Sequence, residues 1–306
     1  MVRQAETDRP MIKTKLSASS RAFYSVAYVI TTIEAAICLI PFIILISSSF
    51  TSENYIRHHG YSVLIHEFSL KAYELIFRTP VTVLRAYGVS ILITAVGTFC
   101  GTMIITLAAY VISRKDFKYR NQVSFFFYFT TLFNGGMVST YIFYIQYLHL
   151  KDSLLALIFP GIFQVFYMLI MRRFVQEIPA ALIESAKIDG AGEWCIFFRI
   201  ILPLLKSGLS TISLFLALGY WNDWYNAMLY INSEKKYPLQ YMLYNLLQQT
   251  QALAKIASQA GIRVMDMPSN SLKMAMAVVA TGPILIVYPY VQKYFVSGIT
   301  IGSVKG

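Results

Sequence analysis

The sequence predicts an all-α membrane protein with about six transmembrane helices. Of its 306 residues, 57% are hydrophobic and 13% charged, and the mean hydropathy of +0.56 excludes an ordinary soluble domain. Apolar runs of roughly 20 residues, enough to cross about 30 Å of hydrocarbon at about 1.5 Å per residue, recur along the chain. Aromatic residues reach 15%, which fits rings that settle at membrane interfaces and so says little about a ligand.

The expected spans are residues 22–50, 88–113, 123–148, 153–171, 208–231 and 272–295. A basic tail, residues 1–21, precedes the first; its apolar segment exceeds a signal-peptide core and lacks a convincing cleavage site, so the first helix is expected to be retained. Asn134, Gly135 and Gly136 interrupt the third span, where glycines permit close helix contact or a local break. "FPG" at 159–161 is expected to kink the fourth, and Asn and Asp residues crowd the outer end of the fifth. Residues 51–87 and 232–271 are the longer outer segments, with a surface helix expected over 241–259.

Basic residues set the orientation. Arg3, Arg9, Lys13, Lys15 and Arg21 in the tail and four more in "RKDFKYR" (114–120) place both termini in the cytoplasm. The same rule accounts for the formal charge of +11 without a nucleic-acid partner. Cys38, Cys100 and Cys195 show neither disulfide nor metal-ligand spacing, and His58, His59 and His66 read as surface residues of the first outer segment.

The motifs of driven transport or catalysis are missing: there is no phosphate loop, no H-E-x-x-H and no G-x-S-x-G. Glu34 is the one acid expected near mid-membrane, where it serves as a proton site, faces a partner or snorkels to the interface. Energy is therefore expected from another protein, with a proton-coupled carrier using Glu34 as the rival.

"IESAKIDGAG" (183–192) is a polar interruption on the cytoplasmic side. Pro179 suits a first helical turn, "AALIESAKI" holds good helix formers, and Gly190 falls where a left-handed cap is favoured. A second short helix, "EWCIFFRII" (193–201), follows, and Pro203 starts the return to the membrane. Ser185 and Ala186 are small enough for a partner's backbone to approach, and Glu184 offers a charge.

"ESAKIDG" (184–190), nine residues, then "IILP" (200–203) resembles the E-A-A-x-x-x-G, nine, I-x-L-P signature of permease subunits in binding-protein-dependent ABC importers, with Ser185 for the central Ala as the one departure. "PFIILISSSF" (41–50), "LFNGGMVSTY" (132–141), "GYWNDWYNAMLYI" (219–231) and "GPILIVYPYVQKYFVSGITIGSVKG" (282–306) resemble the carbohydrate branch, close to complex oligosaccharide or polysaccharide permeases. The resemblance implies a MetI-like, type I importer permease fold over residues 22–306, with a coupling loop at 177–203 whose helix docks on an ATP-hydrolysing subunit. It implies that Glu184, Ser185, Ala186, Asp189 and Gly190 form the coupling contact and that Ile200, Leu202 and Pro203 fix its angle. It further implies a second permease, two ATPases that bind ATP and Mg, an extracellular binding protein and a carbohydrate cargo, with no cofactor in this chain. Another sugar, a glycoside or a peptide-like solute carried by the same machinery is the nearer alternative.

For the cargo path, Tyr220 and Trp224 are expected on one helix face, and Asn222 and Asn226 on another. With Trp221 and Asp223 they offer rings for sugar C–H faces and polar atoms for hydroxyls. An interfacial aromatic belt with amides joining helices fits the same residues.

Overall fold

The computed structural model describes residues 18–259 and 269–285, and every regular element among them is helical apart from a single bridge between Thr51 and Phe68. The first helix, α1 (Ala18–Ser49), absorbs Pro41 without ending. Its apolar stretch is uncovered, and only Ser47, Ser48 and Ser49 at its end are buried. Short helices α2 (Glu53–His59) and α3 (Lys71–Ile76) follow.

The centre of the fold is α4 (Pro80–Ser113), 34 residues with Pro80 in the first turn, where its missing N–H costs nothing. It starts eight residues before the expected span, and at about 51 Å it outreaches a bilayer core. Against it pack α7 (Leu155–Ile162), α8 (Val165–Gln176) and α12 (Lys206–Trp221), and Thr102 and Ser213 hydrogen-bond across the α4–α12 contact at 3.0 Å. The core at the Arg114 end is built from Ile105, Ala109, Met168, Met171, Ile196, Phe197, Ile201 and Ile212.

The third, fourth and fifth expected spans are interrupted. The third is α5 (Arg120–Leu132) and α6 (Gly136–Ile142), the latter running into a wide turn over Phe143–Tyr147; none of these residues is buried. The fourth bends by 52° between α7 and α8, just past Pro160. The fifth divides into α12 and α13 (Tyr225–Tyr230). Among the described residues, two helices are long and apolar enough to cross a membrane, or up to four if each bent pair counts as one. Helix α14 (Leu239–Gln259) begins two residues before the expected surface helix, and residues 270–285 form α15. The basic tail, the end of the sixth expected span and most of the 282–306 segment lie outside the described residues.

A buried acid ties the start of α2 to the start of α15. Glu53 is 6% exposed and accepts from Ser269 Oγ (3.1 Å), the Asn270 N–H (2.9 Å) and Nδ2 (3.1 Å), the Ser271 N–H (3.0 Å) and Oγ (3.1 Å), and Arg57 Nε (3.1 Å). A carboxylate at the start of α15 satisfies donors that a helix N-terminus leaves open and complements its dipole. Glu34, by contrast, is exposed among exposed Ile30, Ile33 and Ile37.

Candidate functional site

Two places are candidates for a functional site: the loop between α8 and α12, and a cavity beside the α7–α8 break. The loop begins with α9 (Ala180–Ile188), preceded by Pro179 in extended conformation. Gly190 has φ +79°; its N–H donates to the Lys187 carbonyl (3.0 Å) and the Ala191 N–H to the Ala186 carbonyl (2.9 Å), the paired bonds of a Schellman cap. The chain re-enters as α10 (Glu193–Ile196), continues through a wide turn at Phe197–Ile201 into α11 (Leu202–Leu204), and bends 81° at Leu205 into α12. Pro203 is exposed at that bend, while Ile200 and Leu202 lean on the core.

The expected contact residues separate onto two faces of α9. Glu184, Ser185 and Asp189 point outward, and Ile188 is 87% exposed, the highest value among the exposed large apolar side chains of the described residues. Ala186 is 8% exposed and packs with Ile183 on the chain's own core, where its small size serves the close approach of neighbouring helices.

A charged clamp holds α9 in place. Asp116 takes two hydrogen bonds from Arg114 (Nε to Oδ1 3.0 Å, Nη2 to Oδ2 2.7 Å) and one from Lys187 Nζ (2.9 Å). Lys187 also reaches Glu193 Oε1 (3.0 Å), while the Tyr110 hydroxyl donates to Glu193 Oε2 (2.8 Å) and Arg114 Nη2 lies 3.4 Å from Glu193 Oε1. The end of α4, α9 and α10 thus share one network. These residues escaped the sequence reading, which took "RKDFKYR" only as positive charge; 71 residues separate Asp116 from Lys187, and no periodicity links them.

Hydrogen bonds from Arg114 and then Lys187 hold the Asp116 carboxyl well below the usual carboxylate range. At Glu193 burial pushes upward, but Tyr110, Lys187 and Arg114 outweigh it and the net direction is down. Asp116, then Glu193, raise Lys187. The depressed acids stabilise the clamp above their unfolded values near about 4 and lose that contribution only as pH falls through the lower folded values. Raised Lys187 contributes fully below about 10.4 and loses it as pH climbs through the folded value. Hydrogen-exchange protection of residues 180–190 is therefore expected to stay flat from about pH 5.5 to 8.5 and to drop several-fold throughout that window in Asp116→Asn. Protection that titrates across the window in the wild type contradicts the clamp.

The cavity has a volume of about 390 Å³ and lies beside Pro160, Gly161 and Gln164 at the α7–α8 break, Tyr167 on α8, Phe215 and Tyr220 on α12, and Asp223 and Asn226 beyond it. Tyr220 is its wall, wedged so tightly that a Cβ on Gly97 of α4 would come within 2.5 Å of its ring and one on Gly161 within 2.9 Å. Its hydroxyl donates to the Ile158 carbonyl (2.7 Å). Tyr167 and Phe215 lie stacked, centroids 5.8 Å apart.

The face-sharing expected of Tyr220 with Trp224, and of Asn222 with Asn226, does not occur, because the helix stops between them. Asn222 Nδ2 turns back to the Leu218 carbonyl (2.9 Å), and Asp223 accepts from the Asn226 N–H (3.0 Å) and Nδ2 (2.7 Å), so side chains close one helix and open the next. Asp223 and Asn226 reach the cavity; Asn222 instead meets Gln240 Nε2 (3.3 Å). Trp221 is buried and donates to the Ala280 carbonyl (3.0 Å), and Trp224 stacks on Tyr244 of α14 at 4.5 Å. Asn134 caps its own turn, accepting from the N–H of Gly136 (2.8 Å), whose φ is +81°, with Gly135 between them; none of the three lines the cavity. Gln164, Tyr167 and Phe215 went unnoticed, the clue being a polar residue just past a helix-breaking proline.

A helical membrane protein with a capped polar loop clamped to its central helix, and a polar cavity at a helix break, has the form of a transporter's membrane subunit. The chain belongs to the family described as binding-protein-dependent transport system inner membrane component, which matches residues 101–301. It is 39% identical over 287 residues to the polygalacturonan/rhamnogalacturonan transport system permease protein YtcP of Bacillus subtilis (strain 168), covering 94% of this chain and 99% of that one. It is 41% identical over 273 residues to protein LplC of the same organism, covering 89% and 90%. Among solved structures, a bacterial ABC transporter involved in the import of the acidic polysaccharide alginate superposes with a TM-score of 0.73 at 28% identity, covering 92% of this chain and 99% of that one.

Proposed function

We propose that the chain is the permease subunit of an ABC importer that carries a carbohydrate, an oligosaccharide or polysaccharide fragment, across the cell membrane. The observation that carries the proposal is the family match over residues 101–301, which takes in both the clamped α9 loop and the cavity. The named substrates of the relatives, polygalacturonan and rhamnogalacturonan for one and alginate for the solved importer, support the cargo class.

In this reading residues 1–21 form a cytoplasmic tail, residues 22–306 make about six spans with both termini inside, and 177–203 is the coupling loop. Glu184, Ser185 and Ile188 meet an ATPase subunit, Gly190 fixes the turn, and Ile200, Leu202 and Pro203 set the 81° bend that carries displacement into α12. ATP and Mg belong to two ATPases. A second permease covers the exposed surfaces of α5 and α6, lipid covers α1, and an extracellular binding protein delivers the cargo.

Proteoliposomes holding the complete complex test this. Uptake is expected to require ATP and the carbohydrate-loaded binding protein and to survive a protonophore. Uptake that persists without the ATPase and collapses with the proton gradient replaces the proposal with a carrier centred on Glu34.

A further inference from the structure

The chemistry of the cavity is narrower than the word carbohydrate. Its lining carries one formal charge, on Asp223, and that charge is negative. Both carboxylate oxygens are held by Asn226, through its N–H and Nδ2, and among the described residues no Lys or Arg forms an ion pair with Asp223. An ionised carboxylate only accepts hydrogen bonds, and each oxygen keeps lone-pair capacity beyond the bond from Asn226. Gln164 brings both an acceptor and donors to the same space. Sugar hydroxyls donate and accept, so they match this set, whereas a uronate carboxylate brings a second acceptor-only anion to it. The stacked Tyr167 and Phe215 rings supply an apolar flank, the partner that a pyranose C–H face requires.

We propose that the cavity is a subsite for an uncharged sugar unit, with Asp223, Asn226 and Gln164 reading hydroxyls, Tyr167 and Phe215 supporting the ring, and Asp223 turning anionic units away. The subsite rests on the carbohydrate reading of the chain.

Gly219 lines the cavity, and an added Cβ there meets nothing within 4 Å, so a thiol can be placed in the site without displacing its walls. The test uses the complete complex in lipid nanodiscs, with G219C in a background where Cys38, Cys100 and Cys195 are serine, and follows labelling by a small maleimide. The probes are tetragalacturonate and its fully methyl-esterified form, identical in backbone and differing in charge. The ester is expected to slow labelling several-fold and the acid to leave it unchanged; with Asp223→Asn added, the acid is expected to protect as well. Equal protection by both probes, no protection by either, or an acid that stays excluded in Asp223→Asn overturns the subsite. ATP hydrolysis on the same preparation separates the two readings. Stimulation by a carbohydrate-loaded binding protein with no protection removes the subsite and leaves the carbohydrate reading standing, whereas no stimulation by any carbohydrate-loaded protein takes both down.

Discussion

Gly190→Val is expected to abolish most ATP-driven uptake while the protein still accumulates in the membrane. The position has φ +79°, a region that a β-branched residue enters at a cost of about 1 to 3 kcal/mol. A Cβ there meets nothing within 4 Å in this chain, so the damage comes from the backbone and not from a clash. The turn either stays strained or opens, and opening releases the paired bonds to Ala186 and Lys187 that aim the outer face of α9. At about 1.4 kcal/mol per tenfold, that strain predicts roughly a five- to hundredfold loss of uptake at equal protein. Gly190→Asn, which tolerates the left-handed region, is expected to keep most of the activity. Equal activity in the Val and Asn variants contradicts the role of the turn.

Gly97→Ala is expected to destabilise the fold, against the usual sign of that exchange. In an exposed helix the change gains about 1 kcal/mol from helix propensity. Here the new methyl lands 2.5 Å from the Tyr220 ring, which is 5% exposed, bonded through its hydroxyl to Ile158, and backed by Gly161. Overpacking of this kind costs about 1 to 3 kcal/mol and outweighs the propensity gain. Thermal unfolding of the detergent-solubilised protein reads the loss as a lowered Tm, and Tyr220→Leu in the Gly97→Ala background is expected to recover part of it. An unchanged Tm in the single variant shows that α4 and α12 separate more easily than their packing implies.

The parts of the fold visible in the sequence are those written in hydropathy and in backbone chemistry. Apolar length located α1 and α4, and the glycine after "ESAKID" located a cap that the structure completes with both Schellman bonds. Breaks were harder to read. The interruption after Trp221 comes from Asn222 and Asp223 turning their side chains onto the backbone, a choice that an apolar average does not register. Ala186 looked like a contact residue because it is small, and its inward face becomes apparent only once α9 lies against Ile183's neighbours in the core. The clamp and the Glu53 junction join residues that are 71 and more than 200 positions apart, so their partners are a product of packing alone. Asp223 and Asn226 were found by their chemistry, whereas Gln164, Tyr167 and Phe215 joined them only when α7 bent away from α8.

The central claim is that energy enters this chain through the outer face of α9. Its most direct measurement is cross-linking from I188C to the ATPase subunit in the intact complex, with a short thiol-directed reagent, in the absence and presence of ATP. The account predicts an adduct with the ATPase whose yield changes with nucleotide. An intact complex in which Ile188→Cys reacts freely with soluble thiol reagents and forms no adduct with the ATPase in either state contradicts it.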